Sequence, residues 1–200
     1  MSHFTTPSAL NLQHGSSLRR RLMGVMLGTA VLLGLAASLA GCASSPTPAD
    51  YARETPQLDL ASYFNGPLTA HGMFTDRSGR VVKRFTVAMK GTWNGDEGVL
   101  EEDFVYSDGT KDRRVWRLTR TAAGRYVGKA DDVKGQAEGV AAGNALNWRY
   151  TLLLPVDGRT YEVQFDDWMY LMDEKVMLNK AVMSKFGITL GEVTLAFHKP

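Results

Sequence analysis

Among 200 residues there is a single cysteine, Cys42. One thiol cannot assemble a disulfide framework or a thiolate zinc site within a chain. Histidine is nearly as scarce. His71 and His198 are the two that follow Cys42, and neither lies at metal-ligand spacing from another candidate ligand, so no metal motif is present. No Gly-x-Ser-x-Gly elbow occurs, and no local context marks a Ser-His-Asp triad. The stretch from Gly124 to Lys129 has the wrong spacing for a phosphate loop and follows no strand-to-helix pattern. A protein without cofactor and without enzymatic activity is the expectation.

Acidic residues are absent before Cys42, whereas Arg19, Arg20 and Arg21 lie there. Without those three arginines, the 23 basic side chains of the chain fall to 20 against 21 acidic ones, a net charge of −1. Such a near-neutral domain lacks the dense basic surface that phosphate backbones demand, which argues against nucleic acid as a partner. The composition is otherwise that of an ordinary globular domain, 44% hydrophobic and 22% charged.

Long apolar runs are missing too, with one exception. Residues 22 to 40 carry no charge, follow the three arginines and lead into Gly41 and Cys42. A basic region, an apolar region and a small-residue cleavage site in that order predict an export signal over residues 1–41, cut between Gly41 and Cys42. Leu39-Ala40-Gly41-Cys42 resembles the lipobox of bacterial lipoproteins, which implies a diacylglycerol on Cys42 and a stable membrane anchor. The alternative is an uncleaved helix, since 19 apolar residues just suffice to span a bilayer core. Residue 43 is Ala rather than Asp, which by the lipoprotein sorting rule implies the outer membrane, facing the periplasm.

From Cys42 to residue 62 the chain is rich in Ser, Pro, Thr and Ala and shows no apolar periodicity, the pattern of a flexible linker. A linker of this length would reach roughly 25 Å. From residue 63 to residue 200, β-rich runs alternate with turns such as Asp76-Arg77-Ser78-Gly79, Asn94-Gly95-Asp96, Asp108-Gly109 and Asp157-Gly158. Val81, Phe85, Val87, Met89 and Trp93 share one strand face, and Leu146, Trp148, Tyr150, Leu152 and Leu154 share another. About ten such strands and no persuasive long helix predict an all-β fold, a single antiparallel up-and-down meander barrel of lipocalin-like architecture.

The hairpin at Asp108-Gly109 permits a register argument. A three-residue loop, Ser107 to Gly109, opposes Glu102 to Arg114, Asp103 to Arg113 and Leu100 to Trp116. Glu102 and Arg114 then face inward with Leu100, Phe104 and Trp116, as an ion pair that serves a ligand's polar head or the barrel structure. With Phe85, Val87, Met89, Trp148, Tyr150 and Phe165 these residues make the candidate barrel interior. Asp166 and Asp167 are adjacent in a strand and point to opposite faces, so they do not act as a pair. Gly135, Ala137, Gly139 and Ala141 share a face of small residues, which either leaves space inside the barrel or receives an aromatic such as Trp148 or Phe165. The four tryptophans, Trp93, Trp116, Trp148 and Trp168, read as core.

The segments Phe64-Asn65-Gly66-Pro67-Leu68, Glu102-Asp103-Phe104-Val105-Tyr106-Ser107-Asp108-Gly109, Arg114-Val115-Trp116, Trp148-Arg149-Tyr150, Phe165-Asp166-Asp167-Trp168-Met169 and Met183-Ser184-Lys185-Phe186-Gly187 stand out along the chain. Together they resemble the bacterial lipoprotein family of the domain of unknown function 3833. The resemblance implies a small lipid-anchored β domain and no established activity or catalytic residue. The leading expectation is an envelope lipoprotein that binds a hydrophobic molecule, a fatty acid or lipid, inside the barrel. The alternatives are a protein-binding scaffold without a small ligand, and an enzyme acting on envelope lipids through Glu102, Asp167 or His71.

Overall fold

The computed structural model describes residues 45–200; the export signal, Gly41 and Cys42 lie outside the described residues. Ten strands, β1 (Gly66–Asp76), β2 (Val81–Asn94), β3 (Glu97–Tyr106), β4 (Lys111–Ala122), β5 (Arg125–Lys129), β6 (Ala137–Ala142), β7 (Ala145–Val156), β8 (Arg159–Leu171), β9 (Val176–Lys185) and β10 (Ile188–His198), form the fold. Each is antiparallel to its neighbours in sequence, and β1 pairs with β10 to close the barrel. Closure leaves no free edge, which is how an all-antiparallel sheet of this size satisfies its backbone groups.

The β3–β4 hairpin has the three-residue loop its sequence predicts. The Tyr106 N–H donates to the Thr110 carbonyl at 2.9 Å, Gly109 takes a left-handed φ of 82°, and Glu102 stands opposite Arg114. The Asp108 carboxylate accepts from the Thr110 N–H and hydroxyl, fixing the turn.

Alternation along the strands sends Leu68 and Ala70, Val87 and Met89, Leu100, Trp116 and Leu118, and Leu146 and Trp148 into one buried core. One end of the barrel, where the β2–β3, β4–β5, β6–β7 and β8–β9 turns lie, is plugged by the chain that precedes β1. A single helical turn, α1 (Leu60–Tyr63), is capped by Asp59, whose carboxylate accepts from the Ser62 N–H at 2.8 Å. It buries Leu60, Tyr63 and Phe64, with Phe64 edge-on to Phe197.

This corrects the linker expectation for residues 42–62. Within the described part, a 3₁₀ turn at Pro48–Tyr51 lies on the outer wall of the barrel, with the Tyr51 ring 5.7 Å from Trp168 and 5.3 Å from Tyr170. Leu58 is buried, and its N–H donates to the Gly143 carbonyl at 2.8 Å. Only a glycine at 143 admits this passage, because a Cβ there would stand 1.7 Å from the Tyr51 carbonyl oxygen. The segment is polar on average, yet its few apolar residues are spaced to meet the rim and wall. Trp168, expected in the core, is therefore an outer-face residue covered by Tyr51. Residues 46–200 form one compact unit that holds all ten strands, the plug and both buried apolar clusters.

β5 and β6 are short, 5 and 6 residues, and no tight turn joins them. The intervening residues instead fold along β7: Val133 bridges Leu152, the Lys134 N–H donates to Thr151, and the Leu153 N–H donates to the Asp132 carbonyl at 2.7 Å. Gly135, with φ of 71°, belongs to this loop and not to a strand face.

Candidate functional site

Between the plugged end and the opposite hairpins lies an internal cavity of about 440 Å³. Its wall is aromatic, with Phe85, Phe104, Tyr106, Trp116, Tyr150 and Phe165 contributed by β2, β3, β4, β7 and β8. Tyr150 stacks on Phe165 at 4.9 Å, and Trp116 is edge-on to both Tyr150 and Trp148. Toward the mouth the lining passes to Phe74, Lys83, Leu154 and Val193. A volume of this order, apolar walls and a few convergent polar groups are the ordinary features of a small-molecule site.

Of the eleven residues that the sequence assigns to the interior, Phe85, Glu102, Phe104, Arg114, Trp116, Trp148, Tyr150 and Phe165 line the cavity. Val87, Met89 and Leu100 lie in the solid core between the cavity and the plug. The small-residue face does not open the space. A Cβ on Gly139 would stand 2.3 Å from the Trp148 ring and one on Gly128 2.6 Å from it, so the two glycines form the seat on which that indole lies. Trp148 and Trp116 thereby floor the cavity, and only a void of about 40 Å³ remains between them and the plug.

The expected inward ion pair is corrected in its partner. Arg114 faces the cavity, but its Nε and Nη2 donate to Asp132 Oδ2 at 2.9 and 2.7 Å, and Asp132 comes from the β5–β6 loop. Glu102 is buried, and the loss of hydration pushes its carboxyl up to about 7 against the opposing pull of Arg114. Asp167, on β8, is only 7% exposed, and its Oδ1 has no hydrogen-bond partner. Burial, with Asp166 and Glu102 adding repulsion, pushes it up to about 8 despite Arg114. Burial likewise holds the Tyr150 phenol well above its ordinary value.

Asp166, the neighbour of Asp167, points outward as alternation requires. It accepts from the Asn147 amide at 2.6 Å and from Arg149 at 3.2 Å. His71 is on the outer wall, beside a shallow groove with Met73, Val105 and Leu178, and not in the cavity. Among the described residues no group of three or more His, Cys, Asp or Glu side chains is placed to hold a metal ion.

The family model described as "Protein of unknown function (DUF3833)" matches residues 36–199. The chain belongs to this family. No curated protein matches it. Among solved structures, this DUF3833 barrel is similar to the S-type phycobiliprotein lyase CPES from Guillardia theta, at 6% identity, with a TM-score of 0.53 over 78% of this chain and 98% of that one. It is also similar to a protein of unknown function from the DUF3598 family of Nostoc punctiforme PCC 73102. There the identity is 11% and the TM-score 0.51, over 79% of this chain and 53% of that one. At such identities the likeness establishes the fold of the DUF3833 chain and nothing about its ligand.

Sequence reasoning missed Asp132 and understated Asp167. The inward phase of Phe165, Asp167 and Met169 on β8 was a readable sign for Asp167. Asp132 left none, because a loop that crosses beside β7 brings it to Arg114.

Proposed function

We propose that this protein is a membrane-anchored, non-enzymatic lipoprotein that binds a hydrophobic small molecule in its barrel. The observation that carries the reading is the aromatic cavity of about 440 Å³, closed below by Trp148 and Trp116 and open toward the hairpins. A void of this size next to a densely packed lower core stabilises nothing by itself, since unfilled volume forfeits contacts. It has the capacity for a lipid-like tail.

The anchor is the diacylglycerol on Cys42, and the sorting residue Ala43 directs it to the outer membrane with the domain facing the periplasm. Because the chain docks on the barrel from Pro48 onward, at most the five residues between Cys42 and Pro48 separate the anchor from the barrel, a span of no more than about 20 Å. That is shorter than a linker running to residue 62. Cys42→Ser is expected to abolish incorporation of labelled fatty acid into the protein and to leave the precursor uncut. Normal processing of that variant would remove the anchor from the reading.

The ligand reading is tested on the domain of residues 46–200, titrated with an environment-sensitive fluorescent amphiphile. Saturable uptake at one molecule per chain is expected. Ala181→Trp, which places an indole in the cavity from β9, is expected to abolish it. Absence of uptake by the unmodified domain would defeat the reading.

A further inference from the structure

Four ionisable side chains other than tyrosine line the cavity, Lys83, Glu102, Arg114 and Asp167, and they are not equivalent. Both cations are already engaged by carboxylates outside it: Lys83 by Asp108 at 3.0 Å and Arg114 by Asp132 at 2.7 Å. Both acids are left without a cation, with the Trp116 indole N–H beside Glu102. Among the described residues neither Glu102 nor Asp167 has an ion-pair partner within 4 Å, and Asp167 Oδ1 is buried with no donor at all. Asn179 on β9, another polar residue of the lining, spends its amide N–H on the Trp168 carbonyl.

The geometry points to a ligand that combines an apolar body with a head group that donates hydrogen bonds and carries no negative charge, a primary ammonium above all, seated between Asp167 and Glu102. This rests on the cavity being a ligand site and narrows its chemistry. A buried acceptor without a donor costs on the order of 1–3 kcal/mol, and an N–H head group removes that cost. A fatty-acid carboxylate meets the opposite situation. It opposes ionisation of both acids where the only guanidinium lining the cavity is held by Asp132, and like charges in low dielectric repel strongly. An ammonium between the two acids also stabilises their ionised forms, so its uptake must release protons.

Three probes of equal tail, decylamine, 1-decanol and decanoate, separate the outcomes by titration calorimetry at pH 7 on the domain 46–200. Decylamine is expected to bind at least about tenfold more tightly than decanoate, a difference of about 1.4 kcal/mol. Its apparent enthalpy should change with the ionisation enthalpy of the buffer, reporting proton release. Asp167→Asn is expected to weaken decylamine about tenfold and to leave decanol nearly unchanged. Glu102→Gln serves the same purpose should the first variant not fold. Decanoate binding as tightly as the amine, or amine binding indifferent to both substitutions, overturns the proposal while leaving a ligand-binding barrel. Binding of none of the three defeats the ligand-site reading itself.

Discussion

The Arg114 guanidinium reaches past its cross-strand neighbour Glu102 to Asp132, with N–O distances of 2.7 and 2.9 Å. A bidentate carboxylate on a loop held by backbone bonds to β7 fixes the arginine more firmly than a lone buried acid would. The cavity therefore presents acids and hides its guanidinium.

Releasing that cation is expected to reverse the preference of the site. In Asp132→Asn the guanidinium loses its charged partner, and Glu102 and Asp167 become the nearest anions. Decanoate affinity should rise and decylamine affinity fall, each by a factor on the order of ten, in the same calorimetric titration. Unchanged affinities would show that Arg114 does not govern head-group choice.

Stability should depend on pH in a defined window. The Glu102 and Asp167 carboxyls titrate near 4.5 and 3.8 when hydrated and are pushed up to about 7 and about 8 in the fold. The folded state thus holds more protons between those limits. Their stabilising effect is complete below about 4 and is lost as pH rises through about 7 to 8. The turn acids Asp76 and Asp108, both held near 2, act in the opposite direction and below about 4, outside this window. Thermal melts of the unliganded domain should show Tm falling by several degrees from pH 5 to pH 9. Asp167→Asn, neutral throughout, should flatten the slope. An unaltered slope would place the pH dependence elsewhere.

Gly139→Ala tests the seat of Trp148. The added methyl would stand 2.3 Å from the indole, in a floor with almost no spare volume. Overpacking of this kind costs about 1–3 kcal/mol, measured as a shift in the urea midpoint. The displaced indole should also move into the cavity and weaken amphiphile uptake.

Tyr51→Ala tests the strap on the outer wall. Its ring covers Trp168 and Tyr170, and its hydroxyl lies 3.3 Å from that of Tyr170. Removing it should cost about 1–3 kcal/mol and shift Trp168 fluorescence to the red as water reaches the indole. Amphiphile binding should be unchanged, because the cavity lies on the other side of β8.

Much of the barrel was legible because its rules are local. Alternation at Phe85, Val87 and Met89, and again from Leu146 to Leu154, follows from a side-chain period of two. The Glu102–Arg114 register follows from one three-residue loop. The seat under Trp148 was visible only as two possibilities, since a run of small residues does not say whether a neighbour fills the space they leave. The strap at residues 48–58 looks like linker in the sequence because its contacts, Tyr51 on Trp168 and Leu58 on Gly143, join residues far apart in sequence and follow no period.

By itself the sequence determined the closed all-β meander, its inward faces and the two side chains that oppose each other at Glu102 and Arg114, because backbone geometry converts spacing into direction. Tertiary structure alone decided that Arg114 turns to Asp132, that Asp167 is left without a donor, and that Trp148 floors a cavity which stays open above it. Those outcomes depend on which groups compete for the same space and charge once the barrel has closed, and no local pattern encodes that competition.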